Sequence, residues 1–181
     1  MEEKRQLLIS QLEDYRMRHP SESPIIDRFV DFVSSNVDCC ERSNLEGHLT
    51  GSAWLVNRDG THVLLTHHRR FNKWLQLGGH ADGNQDLLEV ATKEAYEESG
   101  LGRLRPLSKA IFDLDIHRIP ASGGVPEHDH YDVRYAFEAV GDESYRVSDE
   151  SNDLRWVEIA NIADYAEGPT MLRMAEKWKN C

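Results

Sequence analysis

Between Gly78 and Leu101 the sequence reads GGHADGNQDLLEVATKEAYEESGL, a glycine-rich loop running straight into a helix, and this join constrains the fold more than any other stretch. Asp86 is placed to cap the free N–H groups of the first helical turn, and Glu89 three residues on predicts a capping box. Leu87, Leu88, Val90, Ala91 and Ala95 supply an apolar side, and Gly100 can end the helix in the left-handed conformation. The far end is less ordinary. Glu94, Glu97 and Glu98 fall in the last two turns, where the macrodipole disfavours each anion by about 0.3–1 kcal/mol, and Glu94 and Glu98 form a like-charge i, i+4 pair. Their spacing puts the three carboxylates in one angular sector, an all-oxygen set suited to a hard cation such as Mg²⁺. A solvated acidic helix end fits the helix alone equally well. The preceding glycines, which permit close backbone approach, favour the metal. Lys93 can pair with Glu89 or Glu97 at i, i+4 and so position a carboxylate, with direct phosphate contact as its second option.

From Gly79 to Leu101 this segment closely resembles the Nudix hydrolase signature, G-x5-E-x7-R-E-U-x-E-E-x-G-U with U aliphatic. Gly79, Glu94, Ala95, Glu97, Glu98, Gly100 and Leu101 match it without an insertion. The resemblance implies an α/β/α sandwich with a mixed sheet, here preceded by two N-terminal helices. It also implies hydrolysis of a phosphoanhydride (pyrophosphate) bond in a nucleoside diphosphate-type substrate by attack of water on phosphorus. Mg²⁺ or Mn²⁺ would be held by Glu94, Glu97 and Glu98 with the backbone at Gly79, and Lys93 would act beside them. Two positions depart from the signature. Gln85 stands for the first Glu, keeping an acceptor oxygen without the charge, and Lys93 stands for Arg, keeping the charge without the bidentate fork. A non-catalytic regulator binding a nucleotide or metabolite is the alternative. Isopentenyl-diphosphate isomerases share the resemblance but are expected to need a core cysteine, and Cys39, Cys40 and Cys181 lie before the sheet or at the terminus.

The rest of the chain reads as a sheet protein with helical flanks. Residues 2–19 predict an amphipathic helix with Leu7, Leu8, Leu12 and Tyr15 near one face, stopped by His19-Pro20. Ser23-Pro24 can open a second helix through Val33. These helices suggest a layer over the core, residues 1–40 as an extension to a catalytic domain of 41–181, or a small homodimer surface. Strands are expected at Leu49–Val56 and Thr61–His67, joined as a hairpin through Arg58-Asp59-Gly60. Further strands are expected at Phe71–Gly78, Leu107–Ile119, Tyr131–Val140 and Asp153–Val157, followed by a last helix from Thr170 to Lys179.

Alternation divides Phe112–His117 into an apolar face and a polar face of Asp113, Asp115 and His117. It likewise opposes His130, Asp132 and Arg134 to Tyr131, Val133, Tyr135 and Phe137. Two strands patterned alike suggest a wet cleft. Arg69, Arg70, Lys73, His117 and Arg134 are candidates for substrate phosphates, and Trp74 for stacking on a base or for the core. His128 and His130, with Asp129 and Asp132 nearby, read either as a transition-metal site or as phosphate contacts and surface. The general base is open between Glu94, Glu97, Asp149 and Glu150.

The net charge of −11, from 32 acids against 21 bases, disfavours binding of a nucleic-acid polymer or an anionic membrane. The favoured partner is a small diphosphate-containing molecule. An odd cysteine count with two adjacent excludes a disulfide framework, and the acidic start lacks a signal peptide, so a cytoplasmic location is expected.

Overall fold

The structure, a computed structural model, describes residues 2–149, 151–166 and 168–180. Two helices come first, α1 (Glu2–Arg18) and α2 (Ser23–Ser35), separated at His19-Pro20. Leu8, Leu12 and Tyr15 of α1 are buried with Ile26, Phe29, Phe32 and Val33 of α2, whereas Leu7 turns out to solvent. One residue along a helix rotates the side chain by about 100°, so Leu7 leaves the face that Leu8 occupies.

The sheet comprises β1 (Gly47–Val56), β2 (His62–His68), β3 (Lys73–Leu75), β4 (Leu77–His80), β5 (Leu104–Pro106), β6 (Asp113–Ile119), β7 (His128–Ala139) and β8 (Ser151–Glu158). The order β3-β2-β1-β7-β5 forms its spine, with β4 on β1, β6 on β7 and β8 on β2. Every residue of β1 is buried, and β1 runs parallel to β7 from Gly47↔Asp129 to Val56↔Glu138. The remaining pairings are antiparallel, so the sheet is mixed as expected.

Two strand predictions need correction. The β1–β2 hairpin closes only at its turn, where Asn57 Oδ1 accepts the Thr61 and His62 N–H groups, both at 2.8 Å. Beyond Val56↔Val63 the two strands part, because β4 takes the β1 edge at residues 50–53 and β2 turns to β3 and β8. The strand predicted at 107–119 begins only at Asp113, and a separate short strand, β5, precedes it at 104–106. After Pro106 the chain leaves the sheet and returns at Phe112. Leu107 N–H is held on Ala136 O and Phe112 N–H on Arg134 O, so residues 107–112 bulge between two neighbouring acceptors of β7.

The helix α3 (Leu87–Ser99) lies on one face of the sheet. Gly51 makes this possible, since a Cβ there would come 2.8 Å from Leu87 O and 3.1 Å from Ala91 N. Leu49, Ala53 and Leu55 share that core with α1, α2 and α3. The other face, carrying Trp54 and Val56, packs under α4 (Pro169–Lys179) through Met171, Met174 and Ala175. No helix among the described residues is long and apolar enough to cross a membrane.

Candidate active site

Helix α3 is built as its ends predict. Asp86 accepts Glu89 N–H at 3.1 Å, and Gly100 closes the helix at φ 64° with its N–H on Tyr96 O. The capping box is altered, however. Asn84 Oδ1 accepts Asp86 N–H at 3.0 Å, and the Glu89 carboxylate accepts from Asn84 Nδ2 at 3.2 Å instead of reaching back to the cap.

These caps aim the glutamate end at β4. Glu98 is 5% exposed and accepts the Gly78 N–H at 2.7 Å. The Glu94 carboxylate lies directly over Gly79, where a Cβ would stand only 2.5–2.8 Å from its atoms. Glu97 is the most exposed of the three, and Lys93 bridges it at 2.8 Å to Glu94 at 3.1 Å. Those hydrogen bonds, first to Glu97 and then to Glu94, raise the Lys93 pKa. Lys93 therefore gathers the carboxylates, as the i, i+4 spacing suggests. A side-chain-free backbone against two carboxylates, one of them buried, is an oxygen-donor cradle that fits a hard divalent cation. Gln85 precedes the helix and lines a shallow depression with Lys4, Asp38 and Glu41. It lies before the first turn of α3, at the opposite end of that helix from Glu97 and Glu98.

The polar faces of β6 and β7 coincide in register, Asp113 opposite Arg134, Asp115 opposite Asp132, and His117 opposite His130. β1 extends the same rows with Ser52, Thr50 and His48. Thr50 and Ser52 donate to Asp132 Oδ1 at 2.8 and 2.7 Å, while Gln76 and Arg134 donate to Oδ2. Arg134, proposed from sequence for substrate phosphate, is 2% exposed and meets Asp132 at 2.7 Å, Asp113 at 3.0 Å and Asp115 at 3.4 Å. Its charge is already matched, and with Arg173 and Lys177 on Asp113 it braces α4 against the sheet. Burial alone would raise the Asp113 pKa, but Arg173, Arg134 and Lys177 outweigh it and hold the carboxyl below its usual range. Asp115 is depressed in the same way, with His117, Arg134 and Arg173 overcoming burial.

A cleft of about 460 Å³ opens beside this floor, lined by Lys73, Trp74, Gln76, Asp115, His117 and Arg118 among others, with the start of α4 at one side. The segment 73–79 runs from its rim to the glutamate cluster. Lys73, His117 and Arg134 thus line the cleft, while Arg69 and Arg70 do not: Arg69 reaches the Ser151 carbonyl and Arg70 lies over Phe71. Arg118 was missed, because alternation assigns it to the apolar face of β6. Trp74 lies at the rim with Arg155 5.3 Å above its ring and Tyr165 edge-on. Asp149 is exposed before β8, and Glu150 lies outside the described residues.

A mixed sheet between helical layers, with a helix presenting carboxylates to a glycine-bearing strand, defines an α/β/α sandwich. The model of the NUDIX domain matches residues 48–177, and the chain belongs to this family, the Nudix hydrolases. The match leaves α1 and α2 outside it. Among solved structures, a Nudix-family hydrolase from Clostridium perfringens is 24% identical with a TM-score of 0.57, covering 74% of this chain and 97% of that one. A Caenorhabditis elegans Ap4A hydrolase in a binary complex is 16% identical with a TM-score of 0.59, covering 73% and 95%. A MutT protein from Methanosarcina mazei Go1 is 18% identical with a TM-score of 0.59, covering 74% and 94%. Comparison with curated proteins finds no match.

Proposed function

We propose that this chain hydrolyses a phosphoanhydride bond in a nucleoside diphosphate-type substrate, with Mg²⁺ or Mn²⁺ held by Glu94, Glu97, Glu98 and the backbone at Gly79. The observation that carries this reading is the convergence of Glu94 and Glu98 on the side-chain-free edge at Gly78-Gly79, next to a cleft large enough for a small ligand. A bound divalent ion there would supply charge neutralisation at the phosphoryl oxygens and a more acidic water. The chain's own residues do the rest. The Gly78 N–H fixes Glu98, and Lys93 restrains Glu94 and Glu97. Lys73 brings positive charge to the cleft, whose lining also includes Arg118 in its ion pair with Asp129, and the half-buried Trp74 offers an apolar surface for a base. Glu97, the most exposed of the three glutamates, is our candidate to take the proton from the attacking water. The Ap4A hydrolase among the structural neighbours makes dinucleoside polyphosphates natural members of a test panel.

The experiment is a panel of nucleoside triphosphates, ADP-ribose, dinucleoside polyphosphates and sugar nucleotides with Mg²⁺, scored for released phosphate or pyrophosphate. Glu98→Gln serves as the control. It keeps an acceptor for the Gly78 N–H but loses the charge, so turnover should fall by at least about a hundredfold, as for loss of a main electrostatic group, while the melting temperature stays near wild type. Ligand binding without turnover on any member would replace the hydrolase reading by that of a nucleotide-binding regulator.

A further inference from the structure

Five histidines meet on the polar face at the start of β1 and β7, away from the glutamate helix. His48 and His130 are directly paired across the parallel ladder, and His128 lies two residues before His130 on the same face. The rings of His48 stand 4.9 Å from His128 and 4.8 Å from His130, with His80 and His117 at 4.9 and 5.3 Å from His130. His48 is 3% exposed, and neither of its ring nitrogens has a hydrogen-bond partner of normal geometry among the described residues. His130 Nε2 is likewise buried and orphaned. Orphaned buried nitrogens on adjacent strands forfeit their hydration without return, which native interiors rarely tolerate.

We propose that His48, His128 and His130 form a binding site for a borderline divalent transition-metal ion of the zinc class, separate from the glutamate cluster. One nitrogen from each ring lies within 4.8 Å of the other two. Metal–nitrogen bonds of 2.0–2.1 Å in a tetrahedral site place ligand nitrogens roughly 3.3 Å apart, a closure that small side-chain rotations can supply. His128 is already oriented as a ligand. Its Nδ1 lies 2.9 Å from Pro126 O, and since a carbonyl only accepts, Nδ1 carries the proton and Nε2 is left with its lone pair.

The ligand chemistry separates the two sites. Imidazole nitrogens favour zinc-class ions, whereas carboxylate and carbonyl oxygens favour Mg²⁺ and Mn²⁺. The aspartates that flank these histidines in sequence are not ligands here. Asp129 faces away to Arg118 and Arg28, and Asp132 is saturated by Thr50, Ser52, Gln76 and Arg134. His80 or His117 can furnish a fourth ligand. His117 also lines the cleft, so the ion would sit one side chain behind the cleft wall.

The proposal does not depend on the hydrolase reading, and the test keeps them apart. Chelator-stripped protein is titrated with Co²⁺ and with Zn²⁺ in excess Mg²⁺, following the visible d–d absorption of Co²⁺ and the heat of Zn²⁺ binding. We expect a single equivalent, with a pseudo-tetrahedral Co²⁺ spectrum, in wild type and in Glu98→Gln alike. Even outer partners of a metal ligand are worth about 10–100-fold in affinity. His128→Gln and His48→Gln should therefore each weaken binding by at least about tenfold. His128 stands at the start of its strand, so His128→Gln carries the test if His48→Gln does not fold. Absence of binding by wild type overturns the proposal, as does binding lost in Glu98→Gln but kept in His128→Gln.

Discussion

Gly79→Ala is the sharpest probe of the glutamate site, because it changes one position without touching a charge. The new Cβ would stand 2.5 Å from Glu94 Cδ, whereas ordinary van der Waals contact begins near 3.4 Å. The carboxyl carbon must therefore retreat by 3.4 − 2.5, about 0.9 Å, if the clash is relieved by this flexible end alone. Gly79 is not at positive φ, so alanine adds no backbone strain. The side chain absorbs the shift off its rotamer minimum at a cost of about 0.5–1.5 kcal/mol, a melting shift of only about 1–6 °C for a chain of this size. Catalysis should suffer far more, since a misplacement near 1 Å can cost about a hundredfold. Mg²⁺-dependent turnover and thermal melts of the same preparations would check this. Gly78→Ala is the contrast, because its Cβ meets Ser52 Cα at 2.8 Å, backbone that cannot swing aside, and should destabilise more. Wild-type turnover and Mg²⁺ dependence in Gly79→Ala would refute the placement of Glu94 in the site.

Arg134→Met should destabilise by about 3–5 kcal/mol, because it leaves the buried Asp132 carboxylate without its cation while Asp113 keeps Arg173 and Lys177; a near-normal melting temperature would show that the hydrogen bonds from Thr50, Ser52 and Gln76 suffice for Asp132. Asp113 and Asp115 have folded pKa values below their unfolded ones, so their stabilisation is fully present above the ordinary carboxylate value of about 4 and is lost as pH falls below it. Melting temperature should thus drop more steeply as pH falls below about 4 in wild type than in Asp115→Asn, and equal slopes would contradict the network. Gln85→Glu should leave Mg²⁺ affinity unchanged and stability within about 0.5 kcal/mol, as for other surface changes; a loss of Mg²⁺ affinity would give Gln85 a role that its position beside Lys4 and Glu41 does not explain.

Much of the site was legible because its information is local. The Asp86 cap, the Gly100 terminator and the i, i+4 placement of Lys93 and Glu97 involve hydrogen bonds and angles within a few residues, and each is present. The polar faces of β6 and β7 were also readable from alternation, and their coincidence followed once the register paired His117 with His130. What could not be read was which charges were already spent. Arg134 looked like a phosphate ligand until Asp113, Asp115 and Asp132 were brought against it. The third histidine does carry a local signal: His48, Thr50 and Ser52 alternate with Leu49, Gly51 and Ala53, a polar face in a strand of otherwise small and apolar residues.

By itself, the sequence determined the helix that carries Glu94, Glu97 and Glu98 and the backbone-only edge it faces, because caps, glycine conformation and helical spacing act over short separations. The tertiary structure decided partners: β1 beside β7 rather than along β2, His48 against His128 and His130, Arg134 against Asp113, Asp115 and Asp132. Strand pairing joins segments some eighty residues apart through backbone groups common to every residue. Such a choice is settled by the packing of the whole sheet, and no short stretch of side chains records it.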